Sequence, residues 1–261
     1  MNLLSPDLKT ALVIGHPGHE LRVFHWLEVM KPMVCVITDG SGRLGLSRLP
    51  STTKILNQVN ASQGVFYGSC SDREAYLAIL NRDFDLFIRH ARALAAWLVD
   101  KPVNYVAGDA LEGYNPTHDA CRLIIDAGVA MARRQTDRKI GNFQFPLTGA
   151  PKNGSGKEGD GCIDLHLNDA AFERKLSAAR SYAELDTEVE AAINENRLEA
   201  FRVECLHPAT HELDFGKHNK PYYERYGEQQ VAAGHYRDVI RYRDHFLPLA
   251  EALKQQVDKG L

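Results

Sequence analysis

The chain has 261 residues, 44% hydrophobic and 25% charged, the balance of a globular protein with an ample core. With 31 Lys+Arg against 34 Asp+Glu the net charge is −3 and no basic run stands out, which argues against a phosphate-tracking nucleic-acid surface. The longest apolar runs, 11–14 and 33–37, are far too short for a bilayer span, and Asp7 interrupts the stretch where a secretory leader would be apolar.

The five cysteines, Cys35, Cys70, Cys121, Cys162 and Cys205, are scattered, odd in number and never form C-x-x-C. They read as small core hydrophobes of a reduced, cytoplasmic protein.

In chain order, 10–15 (TALVIG) is a continuous apolar run closed by glycine, as expected of a strand buried on both faces. A helical period follows over 21–30, then a second strand over 33–38 (MVCVIT) closed by Asp39-Gly40. The pattern predicts a helix over 53–63, a short strand over 64–67, and helix over 72–100 with a break near 83–85. A fourth strand over 103–107 (VNYVA) leads to a long helix over 116–134. Strands alternating with helices predict βαβ units, a parallel sheet and right-handed crossovers.

Beyond 138 the pattern changes. Strands are expected over 143–147 and 163–167, bracketing the glycine-rich 149–161, which reads as a loop and a candidate lid. Helices follow over 169–182 and 187–197, then a strand over 201–206. The segment 221–257 reads as helical, interrupted at Gly227, Gly234 and Pro248. The whole is expected to be one α/β domain over 1–261. It is a three-layer sandwich with a Rossmann-like, mostly parallel sheet, its core over 10–140 and a mixed C-terminal portion over 141–261 packed on it.

The stretch Gly15-His16-Pro17-Gly18-His19-Glu20 lies where the first strand meets the first helix, the carboxyl edge at which ligands of such sheets bind. It lacks the G-x-G-x-x-G of a dinucleotide site. Two imidazoles three residues apart across this junction are suited instead to one metal ion. A third, His118, opens the helix after the fourth strand. With strand order 3-2-1-4-5, His16, His19 and His118 meet at the topological switch point, beside Asp39, with an open fourth position for water. Taken singly, each histidine reads equally well as a hydrogen-bonding residue at a strand or helix end. The residues by themselves reach as far as a metal-dependent hydrolase.

These elements resemble the LmbE/PIG-L-type zinc-dependent de-N-acetylases. Gly15-His16-Pro17-Gly18-His19-Glu20 stands for that family's Ala/Pro-His-Pro-Asp-Asp-Glu, and Thr38-Asp39-Gly40 followed by Ser47-Arg48 for its second element. Asn115-Pro116-Thr117-His118 stands for its His-Pro-Asp-His, and the resemblance covers residues 10–135. It implies zinc, or another divalent transition metal, on His16 and His118, with His19 at the place of a carboxylate ligand. It implies Arg48 and Asp39 on the substrate side and Tyr114 near a carbonyl-polarising tyrosine. The implied substrate is a small N-acylated molecule, sugar-containing, deacylated by hydrolysis; no nucleic acid or membrane partner is implied, and a homo-oligomer is left open.

The departures are linked. A third imidazole in place of a carboxylate leaves the metal more positive, while Gly18 occupies the place of the family's general base. Glu20 is the first candidate to replace it, with Glu112, Asp119 and His235 behind it. If the base was lost, Gly18→Asp should restore activity; if replaced, it should add less than tenfold and Glu20→Gln should cut turnover. The alternative is a metal- or ligand-binding relative without hydrolysis. The tyrosines at 222, 223, 226, 236 and 242 read first as a helix packing face and second as a substrate groove.

Overall fold

A computed structural model describes residues 3–42, 45–151, 161–209 and 220–260. Its centre is a seven-stranded sheet of β1 (Thr10–Ile14), β2 (Met33–Thr38), β3 (Ser62–Cys70), β4 (Tyr105–Asp109), β5 (Gly141–Phe145), β6 (Ile163–His166) and β7 (Val203–Pro208), ordered β3-β2-β1-β4-β5-β7-β6. The first five are parallel, and β7 is antiparallel to both β5 and β6.

The run TALVI of β1 is wholly buried because both sheet faces are covered. Its period of two sends Ala11 and Val13 to one core and Leu12 and Ile14 to the other. The first core packs under α3 (Asp72–Leu80), α4 (Asp85–Asp100), α5 (Pro116–Thr136) and α9 (Leu247–Lys259). The second packs under α1 (Phe24–Met30), α2 (Leu49–Val59) and α6 (Asp169–Arg180). This is the three-layer α/β sandwich with a mostly parallel sheet.

Several boundaries differ from the pattern reading. The helix expected over 21–30 divides into a 3-10 segment, His19–Val23, and α1. The helix expected over 53–63 begins earlier, because Pro50 suits a first turn, and stops at Asn60, which takes the left-handed conformation. Strand β3 is longer than expected and pairs with β2 irregularly, so its polar outer residues hid its length. The break between α3 and α4 is present, with Arg82 at positive φ. Gly227 does not interrupt a helix: it lies inside α8 (Tyr222–Ala232), packed against Val239, and the chain turns at Gly234 instead. Between Asp186 and Asn196 runs α7, none of whose residues is buried. Most of the expected loop over 149–161 falls on 152–160, outside the described residues. Among the described residues, no helix is long and apolar enough to cross a membrane.

Candidate metal centre

The order β2-β1-β4 puts the carboxyl ends of β1 and β4 side by side, and both candidate loops leave from there. The His16–Glu20 loop turns at Gly18, whose φ of 107° is closed to most L-residues, and drops into the 3-10 segment. The second loop enters α5 through Asn115, whose extended backbone and side-chain oxygen cap the helix by accepting from the Thr117 N–H at 2.8 Å. With Pro116 in the first turn, this cap holds His118 at the sheet edge. Asn115 and Thr117 thus serve the helix start.

The three imidazoles meet. Ring centroids lie 5.3 Å apart for His16 and His19, 5.0 Å for His16 and His118, and 4.4 Å for His19 and His118, each pair edge-on. His16 and His118 are buried. Burial holds the His19 and His118 imidazoles well below the ordinary histidine range, and neighbouring imidazole and Arg48 charge acts in the same direction. Both rings are neutral near pH 7, the form a metal requires.

Two rings are backed by carboxylates. His16 Nδ1 lies 2.8 Å from Asp72 Oδ1 and 2.8 Å from Thr38 Oγ1, whose own hydroxyl donates to the Gly15 carbonyl. Because those partners accept, Nδ1 carries the proton and Nε2 keeps its lone pair, buried and without a partner. Against burial, the hydrogen bond from His16, helped by that from the Gly42 N–H, holds the Asp72 carboxyl well below its usual range. His19 Nδ1 likewise donates to Asp109 Oδ2 at 2.9 Å, an oxygen that also accepts the Gly15 N–H at 2.8 Å. Complete burial pushes the Asp109 carboxyl up to about 7. Nδ1 of His118 is another buried nitrogen without a partner.

Among the described residues, no three His, Cys, Asp or Glu side chains stand ready as they are to hold a metal ion. The imidazole donors nevertheless suit one in kind, and their ring separations are of the right size. Nitrogens at ~2.0–2.1 Å around a tetrahedral ion would place ring centroids about 5 Å apart. Two of the observed separations match that value and the His19–His118 pair is only slightly tighter. The carboxylate–histidine pairs are the usual outer layer of such sites.

The other expected residues are distributed around this triangle. Arg48 is half-buried, its Nε donating to the Gly40 carbonyl at 2.6 Å, and its charge reaches His19 and His118. Asp39 works within its own turn, its Oδ1 accepting the Ser41 N–H at 2.9 Å and its carbonyl the Arg48 N–H. Tyr114 stands at the mouth, 47% exposed, with its ring 6.5 Å from that of His118. Glu20 is fully buried and its Oε2 accepts the Gly18 N–H at 2.7 Å, while burial raises its carboxyl to about 7. Of the other base candidates, Glu112 is tied to Leu147 and Thr148, and Asp119 accepts the Glu112 and Gly113 N–H groups. The pattern reading missed Asp72 and Asp109. Asp109 ends a legible strand, a position from which side chains reach the sheet edge. Asp72 opens a helix far along the chain and carries no local signal.

No family model and no curated protein matches the sequence. Among solved structures, the fold is similar to that of the conserved protein TT1542 from Thermus thermophilus, at 16% identity over 80% of this chain and 99% of that one, with a TM-score of 0.48. It is also similar to the zinc inhibited form of teicoplanin deacetylase Orf2, at 12% identity over 79% of this chain and 100% of that one, with a TM-score of 0.48.

Proposed function

We propose that the chain is a metal-dependent hydrolase that removes an acyl group, such as acetyl, from the nitrogen of an amino sugar or similar small molecule. The observation that carries this reading is the triangle of imidazoles, two of them buried, with His16 and His19 backed by carboxylates and His16 Nε2 left without a partner. The motif resemblance to the LmbE/PIG-L-type enzymes points the same way.

His16, His19 and His118 would hold one divalent ion, zinc in the first instance, with nickel and other transition metals compatible with imidazole donors. Such an ion polarises a carbonyl and lowers the pKa of water at an open position. Asp72 and Asp109 fix the tautomer and ring orientation of two ligands. Tyr114, whose phenol is raised chiefly by burial, stays protonated and donates to the acyl oxygen as charge develops on it. The Arg48 fork, held through Nε, turns its remaining donors to substrate oxygens.

Protein purified without a histidine tag is expected to carry one divalent ion per chain and to deacylate a member of a panel of N-acyl sugars. Arg48→Ala should weaken substrate binding with metal content intact, and Arg48→Lys should not restore it fully because a point charge does not replace a planar fork. Retained metal without turnover on the whole panel would favour the non-hydrolytic relative, and protein that takes up no metal would overturn both.

Asp72→Asn and Asp109→Asn test the outer layer. Each is expected to lower metal affinity by roughly 10–100-fold, the usual effect of losing such a partner. Competition against a chromogenic chelator measures it. Unchanged affinity in both variants would mean that these carboxylates serve packing alone.

A further inference from the structure

A cavity of about 550 Å³ lies at the opposite end of β1 from the imidazoles, among the first residues of β1, β2 and β3 and the ends of α1 and α4. That is the size of a small-molecule site. Thr10, which lines it, is 2% exposed, and its Oγ1 is buried without a hydrogen-bond partner. The alternation of β1 sends Thr10 to the side of Leu12 and Ile14, the side on which Leu8, Val29 and Met30 pack. Those three apolar residues line the cavity as well. A buried hydroxyl left unpaired has given up its hydrogen bonds to water with nothing in return, and an oxygen placed in the cavity by a ligand would restore one.

The rim is basic. Among the described residues, Lys9, Lys31 and Lys101 line the cavity and no aspartate or glutamate does; Asp7, between two lining residues, is exposed and lies outside it. Part of this charge is used locally. Lys101 pairs with Asp100 at 3.0 Å, and Lys31 and Lys101 cap the carboxyl ends of α1 and α4, each worth about half a negative charge. Lys9 caps no helix, and among the described residues neither it nor Lys31 has a carboxylate partner. Three cations against one carboxylate and two helix ends leave a surplus of about one positive charge.

We propose that this cavity binds a monoanionic amphiphile, a carboxylate on a short aliphatic chain. The Thr10 hydroxyl donates to a carboxylate oxygen, Lys9 and Lys31 neutralise the charge, and the chain lies against Leu8, Val29 and Met30. A surplus of one charge suits a monocarboxylate better than a phosphate dianion, and the apolar wall favours a tail that a simple inorganic anion lacks. Binding here requires no hydrolysis at the imidazole triangle.

Met30 and Met33 both line the cavity and can report on it. The full chain, with isotope-labelled methionine methyl groups, is titrated with octanoate and followed by NMR. Octanoate is expected to move the Met30 and Met33 signals and to leave Met131, buried elsewhere, in place. It should bind about tenfold more tightly than octanol at low salt, with the difference shrinking in high salt. Each methylene added between butanoate and octanoate should strengthen binding by up to about fourfold. Thr10→Val, which keeps the shape and removes the unpaired hydroxyl, should weaken octanoate by about tenfold with the fold intact. The pair Lys9→Gln/Lys31→Gln, on exposed side chains, should bring octanoate and octanol close to parity. Unmoved Met30 and Met33 signals, equal binding of octanoate and octanol, or a preference untouched by both changes would overturn the proposal. Inorganic phosphate binding as tightly as octanoate would overturn the amphiphile class.

Discussion

Replacing His16, His19 or His118 by alanine is expected to reduce bound metal to a small fraction of one ion per chain. Each removal takes away a donor and exceeds the roughly 10–100-fold loss that follows from disturbing a donor's partner. The folded chain is stabilised by any ion it alone binds, by about 2.7 kcal/mol at a hundred times the dissociation constant. Added zinc should therefore raise the melting temperature of the parent protein and leave the three variants nearly unmoved. The pH dependence has a definite sign. Metal binding weakens as protons compete for the imidazoles, and two of the three are held well below their ordinary value by burial. Binding should thus persist at about pH 6.5, where an ordinary histidine is half protonated. Elemental analysis together with a thermal shift series checks both statements, and unaltered metal content in all three variants would sink the assignment.

Gly18→Asp is expected to destabilise the protein and to restore nothing. The pattern reading puts this glycine where the resembled family has its general base and leaves two outcomes for an aspartate there, restored activity or a gain of less than tenfold. The structure gives it another cause. Gly18 sits at φ 107°, and a Cβ there would lie 2.3 Å from Leu185 Cδ1, with the Tyr182 ring behind it. Tyr182 is itself pinned, bonding to Thr52 Oγ1 at 2.9 Å and donating to the Arg48 carbonyl at 3.2 Å, so relief must come from the partly exposed end of Leu185. Left-handed backbone costs a non-glycine residue roughly 1–2 kcal/mol and forced overpacking roughly 1–3 kcal/mol, for a loss of about 2–5 kcal/mol. Urea denaturation measures it, and adding Leu185→Ala should recover the overpacking part while leaving the backbone part. A Gly18→Asp protein as stable as the parent would mean that the loop and Leu185 rearrange freely. Only then would the aspartate test the chemistry.

Much of the fold was legible because burial on both sides leaves a plain mark. TALVI, MVCVIT and the YVA of VNYVA are too apolar and too short for anything but central strands, though the fourth strand starts two residues later than its run, and the helices between them require parallel neighbours. The parallel order then places His16, His19 and His118 at one edge, since loops after β1 and β4 leave from adjacent strand ends. What the chain order could not carry were the partners that cross it. Asp72 reaches His16 over 56 residues and Asp109 reaches His19 over 90, and neither pairing has a local period or spacing to betray it. The role of Glu20 was decided in the same way. Its place next to His19 suggests chemistry, but the turn at Gly18 presents an N–H that holds its buried carboxylate. The tyrosines divided likewise: Tyr223 packs into the core while Tyr222, one residue earlier, stacks on Tyr114 in the open. Helical phase separates the two, but only the docking of α8 against the Tyr114 loop determines which of them meets the core and which meets the site.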